Sequence, residues 1–285
     1  MARIGVQAST VRAAFAENGP YETMRRIAEV GYRTVEMSQV AMTASNVEEM
    51  RRAWADHGVE VVAQSAMLTS DEFPGDSLTN DYQKIVDNCR TLGTTHLRLG
   101  MPPLRAMTSR DRVVEFAHRI QEFAVRLAED GIALHVHNHH VEFARFGDRT
   151  MLDLIADEAP GVGLELDVHW IQRGGMDPVT VLTRHAGRAR LIHLKDYRIS
   201  LVPESTVALV LSGDTAAFGA VFEGLVEYAE VGQGTLDFRA IVEQALVGGA
   251  EHLFVEQDLT YGRDPFESLA MSRAHLVRLG YEHLF

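Results

Sequence analysis

A single cysteine, Cys89, among 285 residues leaves no partner for an internal disulfide and no thiolate cluster of the kind that holds structural zinc. Bases are short as well: 27 Lys and Arg stand against 40 Asp and Glu, a net charge of −13. A protein that grips nucleic acid neutralises phosphates with a surplus of bases, so this balance argues against a nucleic-acid partner. No segment approaches the roughly 20 apolar residues of a membrane helix. Residues 1–10 hold no basic stretch followed by an apolar run of signal-peptide length. The expectation is a cytoplasmic protein without membrane contact. Also missing are a Gly-x-Gly-x-x-Gly after the first strand-like run, a glycine-rich phosphate loop and a low-complexity linker. What is plentiful is apolar residues, 46% of the chain, and histidine, of which there are 13.

Length alone fits either two domains of about 150 residues or one α/β barrel of about 250. The pattern along the chain decides between them. Short β-branched runs at residues 3–7, 34–37, 59–64, 96–99, 132–137, 162–167, 190–194 and 253–256 each lead into a longer segment with helical apolar spacing. Gly31, Gly58, Gly93 and Gly131 follow amphipathic segments where a helix needs a left-handed stop. In the segment 112–129, Val113, Phe116, Ala117, Ile120, Phe123, Ala124 and Leu127 form one apolar stripe. Eight strand-helix units predict a single (β/α)8 TIM barrel domain over residues 1–285 rather than a doubly wound open sheet. One unit is irregular: residues 197–232 form a predicted helical insertion after strand seven. Its second half, 215–228, carries Phe218, Val221, Phe222, Leu225 and Val226 at helical spacing. That face suits packing on the barrel rim, an active-site lid or contact with another subunit.

In such a barrel the active site sits where the strands run out. Strand five runs into His135, His137, Asn138, His139, His140 and Glu142, and strand six into Glu165, Asp167, His169 and Trp170. Strand seven ends in His193, Lys195 and Asp196, and strand eight in Glu256 and Asp258. One His in a strand is ordinary, and one Asp before a helix is an N-cap. Four neighbouring strands ending this way would bury several carboxylates together, at several kcal/mol each unless a cation compensates them. A set of Glu142, Asp167, His193 and Glu256 offers three carboxylates and one imidazole, which suits manganese or magnesium better than structural zinc; manganese is the expected ion.

These residues fall in His-Asn-His-x-x-Glu-Phe at 137–143, Asp-x-His-Trp at 167–170, Gly-Gly-x-Asp-Pro at 174–178, His-x-Lys-Asp at 193–196, Val-Gly-x-Gly at 231–234 and Val-Glu-Gln-Asp at 255–258. In order and spacing the set resembles the sugar phosphate isomerase/epimerase family of xylose-isomerase-like TIM barrels, over nearly the whole chain. The resemblance implies one divalent metal held by Glu142, Asp167, His193 and Glu256. Many members place the first glutamate at the strand end itself, where this chain has His135 or His137, so His137 or His139 can replace or join Glu142. A metal on a sugar carbonyl and its neighbouring hydroxyl stabilises an enediolate, while a carboxylate on each face moves a proton. Glu142 and Glu256 are the candidate bases and His139 a reserve. Lys195 is placed to hold an oxyanion and Trp170 to stack on a sugar. His137, Arg98 and Gln64 are further candidate substrate contacts, and Glu36 a supporting or substrate-binding group.

The insertion and its flanks, Lys195 to Ile199 and Glu227 to Gly232, look like the large subunit of bacterial C-glycoside deglycosidases. That second resemblance implies manganese, a 3-oxo-glycoside substrate that loses its aglycone by elimination, and a small β subunit. The alternatives are a keto-sugar isomerase or epimerase, with a homo-oligomer in place of the β subunit. More remote is a DNA-repair enzyme like the apurinic endonucleases, which share the barrel but which the −13 charge disfavours.

Overall fold

In the computed structural model, which describes residues 2–73 and 75–285, eight parallel strands close into a barrel in chain order. Met1, where the predicted domain starts, lies outside the described residues. The strands are β1 (Arg3–Gln7), β2 (Thr34–Met37), β3 (Glu60–Ala66), β4 (His96–Leu99), β5 (Ala133–His137), β6 (Gly163–Asp167), β7 (Ala189–Leu194) and β8 (His252–Val255), with β8 closing on β1. Each predicted strand is present, its ends moved by two residues at most. Gly31, Gly58 and Gly93 cap their helices at φ 104°, 68° and 68°, the left-handed stops expected of them. No described helix is long and apolar enough to cross a membrane.

Alternation along the strands sorts the side chains. Ile4, Val6, Val35, Met37, Leu97, Leu99, Leu134, Val136, Leu164, Leu166, Ile192, Leu194, Leu253 and Val255 are buried in the apolar clusters under the helices. Burial of each such side chain contributes about 1.5–3 kcal/mol. The residues between them are largely polar yet equally buried: Gln7, Glu36, Arg98, His135, His137, Glu165, Asp167, His193 and Glu256. The barrel interior, which branched apolar residues fill in most such folds, is here a column of ionisable groups.

The insertion differs in part from the expected helix. Helices form at Glu204–Leu211 and Thr215–Glu223, but Val226–Ala229 is a strand, paired antiparallel with Asp196–Ile199. Gly224 ends the second helix, and strand pairing captures the apolar residues beyond it. The two helices pack on each other, and Leu201 (92% exposed), Leu211 (83%) and Phe222 (60%) face outward.

Candidate active site

At the C-terminal ends of the strands, parallel pairing sets Asp167 on β6 directly beside His193 on β7. One ligand atom from each of His137, Asp167 and His193 falls within 4.8 Å of the others. Glu256, the residue after β8, completes the group: its Oε2 lies 2.8 Å from His193 Nδ1. Gln7 Nε2 donates to Glu256 Oε1 at 3.2 Å and Ser9 Oγ donates to the same oxygen at 3.4 Å. Lys195 lies on the loop just past β7, and its ammonium is 2.5 Å from Asp258, 3.5 Å from Glu256 and 3.8 Å from Asp167.

Local sequence fixes these positions. Asp167 caps the helix Val168–Arg173 by accepting the Trp170 N–H, and its own N–H donates to Asn138 Oδ1 at 3.0 Å. That leaves Asp167 Oδ2 buried without a hydrogen-bond partner, as is His137 Nδ1. Asp196 does not pair with Lys195; it accepts the N–H groups of Tyr197, Gly232, Gly234, Thr235 and Leu236 and so pins the turn that closes the insertion. Gly234 is required there, because a Cβ would come within 2.3 Å of Asp196 Oδ1.

Among the described residues, the four carboxylates Glu36, Glu165, Asp167 and Glu256 are buried with two permanent cations, Arg98 and Lys195. Burial and the neighbouring Glu36 push Glu165 up to about 8. Burial pushes Asp167 up to about 7, although Lys195 beside it works the other way. Glu256 is held well below the ordinary carboxylate range, because Lys195 and His193 outweigh the cost of burial. Lys195 is raised, its three carboxylate neighbours outweighing burial. Four clustered carboxylates, an unpartnered Asp167 Oδ2 and mixed oxygen and nitrogen ligands all fit a divalent cation. A second trio, Glu36, Glu165 and His193, also meets metal spacing, but Arg98 Nε already bridges it at 2.8 Å from Glu36 and 3.0 Å from Glu165.

The expected residues separate into groups. Asp167, His193, Glu256, His137 and Lys195 are brought together. Trp170 lies at the mouth with Lys195 Nζ 5.0 Å from its ring centre, and His139 stands edge-on to His137 at 4.8 Å. Burial lowers His139 to about 4 and keeps its imidazole neutral. Glu142 sits in the short helical turn Val141–Phe143, its Oε2 accepting the His139 N–H at 2.7 Å and its Oε1 buried without a partner. Burial raises it to about 7. On strand five it is therefore His137, not Glu142, that meets Asp167 and His193 at ligand spacing.

Arg98 lies lower than expected, its Nε committed to two carboxylates. Gln64 is not at the mouth: its amide donates to Ile85 O and Cys89 Sγ under the helix Tyr82–Leu92. The strand runs on to Ala66, so the predicted end at residue 64 chose the wrong face by one position. Gln7 and Ser9 are mouth residues that the sequence did not announce, and their signal is the end of β1. Asp258, read there as an acid at the end of strand eight, is the partner of Lys195. Beside the mouth, His169, Trp170, Arg173, Val226, Glu227 and Tyr228 line a cleft of about 140 Å³.

A family model described as a xylose isomerase-like TIM barrel matches residues 24–256. Among curated proteins, the chain is 30% identical over 168 residues to the rhizopine catabolism protein MocC of Rhizobium meliloti, a match covering 56% of this chain and 49% of that protein. It is 28% identical over 170 residues to inosose dehydratase of Geobacillus thermodenitrificans strain NG80-2, covering 58% and 53%. The chain thus spans about half the length of the curated relatives it matches. A solved sugar phosphate isomerase/epimerase from Parabacteroides distasonis superposes with a TM-score of 0.73 at 19% identity, over 97% of this chain and 98% of that one. A xylose isomerase-like TIM barrel protein from Mycobacterium smegmatis, solved in complex with magnesium, gives 0.66 at 16% identity, over 100% and 98%.

Proposed function

We propose, on the premise that the chain belongs to the xylose isomerase-like TIM barrel family, that it is a divalent-metal-dependent enzyme acting on a keto-sugar. In this reading it removes the proton next to a ring carbonyl and expels the substituent one carbon further on. The favoured substrate is a 3-oxo-glycoside and the group expelled its aglycone, as in C-glycoside deglycosidases. The observation that carries the reading is the mouth itself, where an ionised carboxylate, an ammonium and a group of buried carboxylate and imidazole ligands meet. Inosose dehydratase supports elimination over simple isomerisation, since its name states a loss of water.

Asp167, His193 and Glu256, with His137 from strand five, would hold a divalent ion that would supply positive charge for a substrate oxyanion, and manganese is the ion we assign. Glu256, kept ionised by Lys195 and His193, takes the proton from the carbon beside the carbonyl. The electron pair moves onto the carbonyl oxygen, where the Lys195 ammonium holds it. Its return forms the carbon–carbon double bond and breaks the bond to the leaving group, which takes its proton from the acid form of Glu256. Trp170 covers one face of the ring.

A second reading, keto-sugar isomerisation or epimerisation, is favoured by one observation: the mouth holds another base. His139 is neutral and stands against His137, and Glu142 has a buried Oε1 without a partner. Incubation of the manganese-loaded enzyme with 3-oxo-glycosides and free ketoses in deuterated water separates the two. Aglycone release supports elimination, and a deuterated isomer without release supports the second reading. Glu256→Gln is expected to fold but to stop exchange of the substrate's α-proton with solvent; retained exchange removes Glu256 as the base.

A further inference from the structure

His193 has a carboxylate on each ring nitrogen. Nδ1 faces the mouth, 2.8 Å from Glu256 and 3.8 Å from Asp167. Nε2 faces the barrel interior, 3.3 Å from Glu36 Oε2 and 3.4 Å from Glu165 Oε1. Glu36 and Glu165 come from β2 and β6, are fully buried, and are tied together by Arg98 from β4. Two carboxylates share one guanidinium in this layer, beneath an imidazole in contact with the mouth.

An imidazole that binds a metal through one nitrogen is commonly held by a carboxylate on the other, which fixes ring orientation and tautomer and makes the ring a stronger ligand. We propose that Glu36, Glu165 and Arg98 form a positioning layer for His193: the carboxylates hold the proton on Nε2, so that Nδ1 is presented to a divalent cation. Arg98 keeps the two carboxylates from repelling each other and blocks a cation from binding among them. The three residues touch neither substrate nor metal. The proposal rests on the metal-centre reading above, but concerns residues outside the ligand set. It also explains why an arginine expected at the mouth lies buried below it.

The tautomer can be read directly. Long-range ¹H–¹⁵N correlation spectra of histidine-labelled wild-type chain loaded with zinc are expected to show His193 protonated at Nε2 and ligated at Nδ1. Ligation through Nε2 overturns the proposal while leaving the metal centre standing. Failure of the chain to bind zinc overturns the metal centre and this inference with it. Glu165→Gln and Glu36→Gln keep shape and remove charge. Each folded variant is expected to bind manganese about 10–100-fold more weakly by titration of the free-ion paramagnetic signal, and to shift the visible spectrum of the cobalt-loaded chain. Unchanged affinity and spectrum in both would assign these groups a purely structural part. Complete loss of binding would make them ligands and equally overturn the positioning role.

Discussion

At the C-terminal end of the barrel His193 is fully buried between Glu256 on one nitrogen and Glu36 and Glu165 on the other. Toward the N-terminal end His135 is just as buried, but its Nε2 meets only His96 Nδ1 at 3.0 Å, with the His252 ring 5.5 Å beyond His96. Burial opposes a charged imidazole in both places. Near the mouth, carboxylates outweigh it and His193 is raised well above the ordinary range. Near the floor burial prevails: His96 and His135 are lowered, and His252 falls to about 3, with help from His96, Arg3 and Arg190. A histidine count therefore says little about chemistry until the company of each ring is known. One end concentrates carboxylates and suits a cation; the other packs neutral rings, in keeping with the stabilising role of that face in TIM barrels.

The largest break in this contrast removes a mouth carboxylate. Asp167→Ala is expected to fold, to lose bound metal on elemental analysis after purification, and to lower kcat/KM by more than about 10³-fold. Chelation of wild type is expected to match it. Normal metal content in the variant would sink the ligand set. Next in size is Lys195→Met. Without the ammonium, Asp167 and Glu256 are buried with one fewer counter-charge, which is expected to destabilise the metal-free chain by about 3–5 kcal/mol. Manganese should recover part of this by binding only the folded form. A melting temperature that drops equally with and without manganese would mean that Lys195 does not share this charge-neutralising task.

The fold was legible because its signals are local and repeated: eight strand runs, glycine stops and amphipathic helices each report on themselves. That Asp167, His193 and Glu256 lie together was legible because strand ends in this barrel converge. Gln64 was misplaced because a one-residue error in a strand end reverses the face. Glu142 reads from the sequence as a ligand, yet its backbone contact to His139 depends on a turn that composition does not report. Arg98 and Glu165 were hard to place for a different reason. Whether a charged side chain reaches solvent or another charge inside the barrel depends on three other strands.

The floor offers a prediction with a defined sign. His252 binds its proton less readily folded than unfolded, so the unfolded chain takes up more protons between about pH 6.5 and 3. Its contribution to stability is full above the unfolded value and declines as pH falls below it, by at most about 3 kcal/mol at pH 4. His252→Phe is expected to flatten that part of the stability curve, measured by urea denaturation between pH 7 and 4. A curve of unchanged slope would show that the floor histidines are not held neutral by burial.

The smallest expected effect concerns the insertion that rises next to the mouth and has no counterpart at the floor. The helices Glu204–Leu211 and Thr215–Glu223 leave Leu201, Leu211 and Phe222 largely exposed. An apolar face of this kind suits contact with another surface. A small β subunit, a second copy of the chain or a closed lid are the occupants that the functional reading offers. Phe222→Asp should change the chain's own stability by no more than about 0.5 kcal/mol, because the ring is 60% exposed. If the face joins subunits, light scattering will show a complex in wild type that the variant loses, with metal content intact. If wild type and variant have the same mass, the face belongs to the mouth as a lid, and the variant should then raise KM for the glycoside while leaving manganese affinity unchanged.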